Sequence, residues 1–394
     1  MLHCNKAAAS LFVRRAGSHG RSERETMPVI TPRLRLHRSR KGLSAFAPKG
    51  ATIDRLTDLP GGWHNPGNLR GRWYVPGGIE GRAPVVVVLH GCTQDAAVYD
   101  HGSGWSTLAD RHGFILLFPE QQRANNPMLC FNWFSDADTR RGSGEAASIA
   151  AMIEAVKAAH DVDPARVFVT GLSAGGAMAA AMLAAYPETF AAGAIVAGVA
   201  YGCASDVGEA FECMGGRGRA DARALGDRVR RASPHRGPWP RIQVWQGSAD
   251  QTVAPSNADA IVLQWADLHG VGPAPDRVDS VAGYPRRTWM NGKGAPAIEH
   301  YTITGMAHGV PLDPGAGADA IGAAGAYMLD VGLSSTAQIA AFFGLAPAAE
   351  DRAGPPPVGA RAERTERPAA AGDTPRGGPQ AAIEKALRAA GLLR

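Results

Sequence analysis

Arg166-Val-Phe-Val-Thr170-Gly171-Leu172-Ser173-Ala174-Gly175-Gly176 is the stretch on which the reading of the fold depends. Arg166 to Thr170 is a short β-branched and aromatic run that reads as a strand, and Ala174 to Tyr186, rich in Ala, Met and Leu, reads as a helix. Between them Gly171 to Gly175 fits G-x-S-x-G, the sharp strand-to-helix turn that pushes a serine hydroxyl out of a sheet. The glycines have a mechanical reason. A side chain at Gly171 or Gly175 would collide with the neighbouring strand and helix while the serine is held in a strained conformation. Ser173 is therefore the candidate nucleophile.

Working outward, buried strands and amphipathic helices alternate. Gly67 to Val75 reads as a first strand. Pro84-Val-Val-Val-Val-Leu-His90 is apolar without alternation, as a strand covered on both faces reads. Trp105 to His112 reads as a helix, Phe114 to Phe118 as a strand, and Gly144 to His160 as a helix with Ile149, Ile153 and Val156 on one face. Past the central turn, Phe190 to Val199 and Arg241 to Gly247 read as strands, Asn257 to His269 as a helix and Glu299 to Thr304 as a last strand. This order predicts an α/β fold, a doubly wound, mostly parallel sheet with helices on both faces and sites at the carboxyl ends of its strands. Residues 202–240, long, Gly- and Arg-rich and without evident periodicity, read as an insertion that serves as a lid or substrate wall.

The chain has 394 residues and a hydrophobic share of 45%, enough for a large buried core. Its formal charge of +5 is unevenly spread: residues 1–50 carry eleven Lys and Arg against two Glu, which leaves the remainder at −4. Residues 1–60 accordingly read as a basic, solvated extension or as an early start with Met27 as an alternative. Nucleic acid is not an expected partner. There is no secretory apolar segment, since Ala7 to Val13 is short and runs into Arg14-Arg15, and Phe190 to Tyr201 is too short and glycine-interrupted to span a bilayer. Residues 347–379 read as a Pro/Ala/Gly-rich linker and 380–394 as a short helix. Four of five cysteines lie in the body; they permit the disulfides Cys92 to Cys130 and Cys203 to Cys213, or four buried thiols. With neither C-x-x-C nor H-E-x-x-H present, zinc is not expected.

A serine hydroxyl needs a base, and the base a carboxylate that holds its tautomer. In this fold they follow the serine in the order acid, then histidine. His308 lies in a Gly-flanked loop past the last strand; His269 ends a helix, His300 sits within a strand, and His235 falls in the insertion. Asp250 stands in the turn after Arg241 to Gly247, whereas Asp259 and Asp267 lie on the next helix and Asp206 in the insertion. The developing oxyanion needs N–H donors. Ala174, directly after the nucleophile, and Cys92, in the loop after the early strand, are the candidates. Gln94 in the same loop, with Trp133 and Trp245, are candidate substrate contacts. Trp63 is a further aromatic candidate.

His90-Gly-Cys-Thr-Gln94, Cys130-Phe-Asn-Trp-Phe134, Gly171-Leu-Ser-Ala-Gly-Gly-Ala-Met178, Gly247-Ser-Ala-Asp250 and Gly305-Met-Ala-His-Gly309 together resemble the esterases of the polyhydroxybutyrate depolymerase family. These are α/β-hydrolases related to feruloyl and acetylxylan esterases. The resemblance covers about residues 65–345 and implies an α/β-hydrolase domain over 61–346. It implies a Ser173, Asp250, His308 triad with Cys92 and Ala174 as oxyanion donors, no cofactor, and cleavage of carboxylic esters in polyester or acylated polysaccharide. It also implies an extracellular or periplasmic setting, with the cytoplasm as the alternative because no export signal is visible.

Overall fold

The computed structural model describes residues 52–79, 81–217, 221–315 and 320–347. A two-residue edge strand β1 (Thr57–Asp58) pairs antiparallel with β2 (Arg70–Tyr74). Then come β3 (Ala83–Leu89), α1 (Ala96–Ser103), α2 (Trp105–His112), β4 (Ile115–Glu120), the single turn α3 (Asp136–Thr139), α4 (Gly144–Ala159), β5 (Val162–Leu172) and α5 (Ala174–Ala185). The chain continues through β6 (Ala192–Val196), α6 (Val207–Met214), α7 (Ala222–Ala232), β7 (Arg241–Gly247), α8 (Ser256–His269), β8 (Arg277–Val281), β9 (Tyr284–Met290) and β10 (Pro296–Ile303). A small pair, β11 (Val310–Leu312) and β12 (Met328–Asp330), precedes α9 (Ser335–Phe342).

The main sheet runs β1-β2-β4-β3-β5-β6-β7-β10-β9-β8. From β4 to β10 every neighbouring pair is parallel, while β1, β2, β8 and β9 add antiparallel margins. All seven residues of β3 are buried. Successive side chains point to opposite faces, so Val85, Val87 and Leu89 join one core and Val86 and Val88 the other. The first core is covered by Ile149, Ile153 and Val156 of α4, Met178 and Met182 of α5, and Ile261 and Trp265 of α8. The second is covered by Tyr99 of α1, Trp105 and Leu108 of α2, and Ile339 and Phe342 of α9.

Several expectations change. Packing begins before residue 61: Leu56 and Leu59 are buried, and Arg72 bonds the Asp54 carboxylate and the Leu56 carbonyl. The β8–β9 hairpin was not anticipated, because its sequence is strongly charged; Arg286 pairs with Asp279 across it at 2.7 Å. The insertion is not aperiodic. Asp206 and Asp221 cap α6 and α7 by accepting from Glu209 N and Ala224 N, and α7 buries Leu225 and Val229. Among the described residues no helix is long and apolar enough to cross a membrane. The readings of residues 1–51 as a basic extension, 348–379 as a linker and 380–394 as a helix lie outside the described residues.

Candidate active site

Ser173 closes β5 and precedes α5 with φ 57° and ψ −117°, a conformation that a non-glycine residue adopts only under surrounding constraint. Its N–H donates to the Val196 carbonyl of β6 at 2.9 Å, which ties the turn to the sheet. The flanking glycines are required by close approach. A Cβ on Gly171 would lie 2.4 Å from the Gly175 carbonyl oxygen, and one on Gly175 would lie 2.3 Å from the Leu89 carbonyl oxygen.

Asp250 follows β7 and is buried. Its Oδ1 accepts from the amides of Thr252 (2.8 Å) and Val253 (2.9 Å), and its Oδ2 from Gln246 Nε2 (3.0 Å) and His308 Nδ1 (2.7 Å). Four donors therefore hold the carboxylate in one orientation, and the bond to His308 selects the tautomer protonated at Nδ1. His308 is carried by the loop between β10 and β11. The Tyr327 ring stands edge-on to it, 6.1 Å between centroids. Gln246 was missed in the sequence; its position four residues before Asp250 carries no recognisable signal.

Ser173, Ala174 and Cys92 line one cavity at the carboxyl ends of the central strands. Met128, Trp133 and Phe134 form one wall, and Val207, Phe211 and Met214 of α6 face it. Among the described residues no Asp, Glu, Lys, Arg or His lines this cavity. Among the described residues, neither the Cys92 nor the Ala174 amide has an acceptor. The Cys92–Cys130 disulfide joins the loop after β3 to the wall that holds Trp133, and a second disulfide links Cys203 to Cys213.

A buried polar network braces the loop carrying Cys92. His90 Nδ1 donates to the Gly91 carbonyl at 2.8 Å, and His90 Nε2 accepts from Gln121 N at 3.1 Å. Burial holds the imidazole below its ordinary pKa, in keeping with this neutral, fully bonded form. Gln121 Nε2 bonds Glu145 Oε1, and Glu145 also accepts from Asn132 N (2.9 Å) and Asn132 Nδ2 (2.8 Å). Burial pushes the Glu145 carboxyl up to about 8 despite those donors. The network was also missed; the one available sign was a lone glutamate in the first turn of α4.

The candidate substrate contacts separate. Trp133 lines the cavity, packed edge-on against Phe134. Trp245 does not: it is fully buried in the second core, stacked on Tyr301 with ring centroids 3.9 Å apart, and its Nε1 donates to Gln243 Oε1. Its position on a central strand assigns it to one face of the sheet, away from the strand ends. Gln94 is likewise no substrate contact. Its side chain is buried and its Oε1 accepts from Gly91 N at 3.0 Å, so it shapes the loop from inside. Trp63 packs half-buried against the first core.

The sequence profile described as esterase PHB depolymerase matches residues 71–280. The chain belongs to this family. It is 46% identical over 312 residues to poly(3-hydroxyalkanoate) depolymerase C of Paucimonas lemoignei, covering 78% of this chain and 75% of that protein. It is 34% identical over 264 residues to an acetylxylan esterase of Coprinopsis cinerea, covering 65% of this chain and 70% of the relative. Among solved structures, an acetyl xylan esterase from Aspergillus awamori superposes with a TM-score of 0.63 at 25% identity, covering 74% of this chain and 99% of that one. The α/β-hydrolase architecture expected from the motifs is thus the observed one, and the chain is an ester-cleaving hydrolase of the esterase PHB depolymerase family.

Proposed function

We propose that Ser173, Asp250 and His308 form a catalytic triad that hydrolyses aliphatic polyester of the poly(3-hydroxyalkanoate) type through an acyl-enzyme. The observation that carries this reading is that the strained Ser173 turn shares one apolar cavity with Cys92 and Ala174, while Asp250 holds His308 through a 2.7 Å bond. In this mechanism the Ser173 hydroxyl attacks the ester carbonyl while His308 Nε2 accepts its proton. Asp250 stabilises the resulting imidazolium through the Nδ1–H bond. The amides of Cys92 and Ala174 receive the oxyanion, each donor contributing about 10²–10³-fold. His308 then protonates the leaving alkoxide and, in the second half-reaction, activates the water that releases the acid.

The polyester substrate is supported by the 46% identical relative and by the apolar lining of the cavity, which suits a methyl-bearing acyl chain. Acetylxylan is the second reading, favoured by the relatives that bear that name. The two disulfides support export to an oxidising compartment. The test compares the purified full chain on poly(3-hydroxybutyrate) film, soluble hydroxybutyrate oligomers and acetylated xylan. Faster release of hydroxy acid than of acetate, abolished in Ser173→Ala, is expected. Release of acetate alone would replace the polyester reading with the xylan one.

A further inference from the structure

The insertion places only a short part of itself on the cavity. Val207, Ala210, Phe211 and Met214 fall at i, i+3, i+4 and i+7 of α6, which puts them on one stripe of the helix, and all four line the cavity that holds Ser173. Helix α7 faces elsewhere: Arg230 pairs with Asp267 of α8, and Gln264 of α8 donates to the Leu225 carbonyl. Within the stripe the side chains differ. Ala210 is buried with Ala177, Val199 and Val253, whereas Phe211 and Met214 remain only half-buried. These two apolar side chains line the same cavity as Met128 and Trp133.

The helix is held at its ends. Cys203–Cys213 bridges the segment before α6 to its last turn. The Met214 carbonyl accepts from Ala254 N at 2.8 Å and Asn257 Nδ2 at 3.1 Å. Ala254 continues the loop whose Thr252 and Val253 amides hold Asp250, and Asn257 stands in the first turn of α8 just after it. At the other end, Ser205 Oγ donates to Glu209 Oε2 at 2.7 Å, and Asp206 caps the helix.

We propose that α6 is a tethered wall that sets which acyl groups the cavity accepts, with Phe211 and Met214 as its specificity-determining side chains and Cys203–Cys213 as the tether. The ligand class is an uncharged aliphatic acyl chain. Among the described residues no ionised side chain lines the cavity to receive a charged one. This inference rests on Ser173 being the nucleophile. Each further methylene that the cavity can bury contributes about fourfold in binding, so moving the wall back favours longer chains.

The experiment measures kcat/KM on p-nitrophenyl butyrate and octanoate for the full chain and its variants. In Phe211→Ala and Met214→Ala the octanoate-to-butyrate ratio rises about tenfold, and in Phe211→Trp it falls. Replacing both Cys203 and Cys213 by Ser moves the ratio in the direction of Phe211→Ala, which a loss of stability alone would not do. Phe211→Ala and Phe211→Trp both leaving the ratio within twofold of the parent would overturn the wall. Ser173→Ala, run alongside on p-nitrophenyl acetate, reads the nucleophile separately. Loss there with an unmoved ratio in the Phe211 variants overturns the wall alone, whereas retained hydrolysis overturns the site and the wall with it.

Discussion

At the scale of single residues, Ser173 is held at φ 57° by its amide bond to Val196 and by two glycines that leave no space for a Cβ. Strain of this kind costs about 1–3 kcal/mol and persists only where the surroundings over-determine it. Replacing Gly175 with Ala should therefore act on stability before chemistry. The added methyl meets the Leu89 and His90 carbonyls, and a loss of about 3 kcal/mol is expected in urea unfolding. Chemistry is isolated by other changes. Ser173→Ala should lower turnover of a soluble ester by about 10⁶-fold, and an activity within tenfold of the parent ends its assignment as nucleophile. Asp250→Asn keeps the shape but reverses the preferred tautomer of His308, so kcat should fall by about 10⁴-fold with KM little changed.

At the scale of elements, Glu145 couples the first turn of α4 to the loops on both sides of Cys92, through Gln121 and Asn132. Its carboxyl is pushed from an ordinary 4.5 to about 8, burial outweighing the donors that favour the ionised form. The folded protein thus keeps a proton that the unfolded chain releases above about 4.5. Stability from this group is fully present below that pH and is lost as pH rises through about 8, on the order of 1.4 kcal/mol for each unit of the window. In Glu145→Gln the slope should flatten, so that between pH 5 and pH 9 the urea midpoint of the variant gains on that of the parent. Parallel midpoints at the two pH values would show that Glu145 stays ionised in the fold.

At the scale of the whole molecule, the two disulfides close loops of very different reach, with sequence separations of 38 and 10. Loop-closure entropy then predicts about 4 kcal/mol from Cys92–Cys130 and about 3 kcal/mol from Cys203–Cys213. Equilibrium unfolding of the paired Cys→Ala variants checks the order as well as the size.

The parallel heart of the sheet was legible because β3 is a continuous apolar run and β5 carries a buried Val167-Phe-Val169 core, and a strand covered on both faces leaves that signature without reference to its partners. The turn at Ser173 was legible from its two glycines, although the space they leave is needed both by each other, at Gly171 and Gly175, and by the distant Leu89 carbonyl of β3. Other features depend on what comes near from far along the chain. Trp245 and Trp133 look alike in sequence, yet one is stacked inside the second core and the other lines the cavity. The stripe of Val207, Ala210, Phe211 and Met214 was overlooked within a Gly- and Arg-rich insertion, since two turns of helix carry little periodicity above background. Local sequence determined the elements and the strained turn, because backbone sterics and hydrophobic period act over a few residues. Only the tertiary structure decided which buried groups brace the loop carrying Cys92 and which apolar side chains share a cavity with Ser173, because burial and hydrogen bonding depend on neighbours that the order of residues does not name.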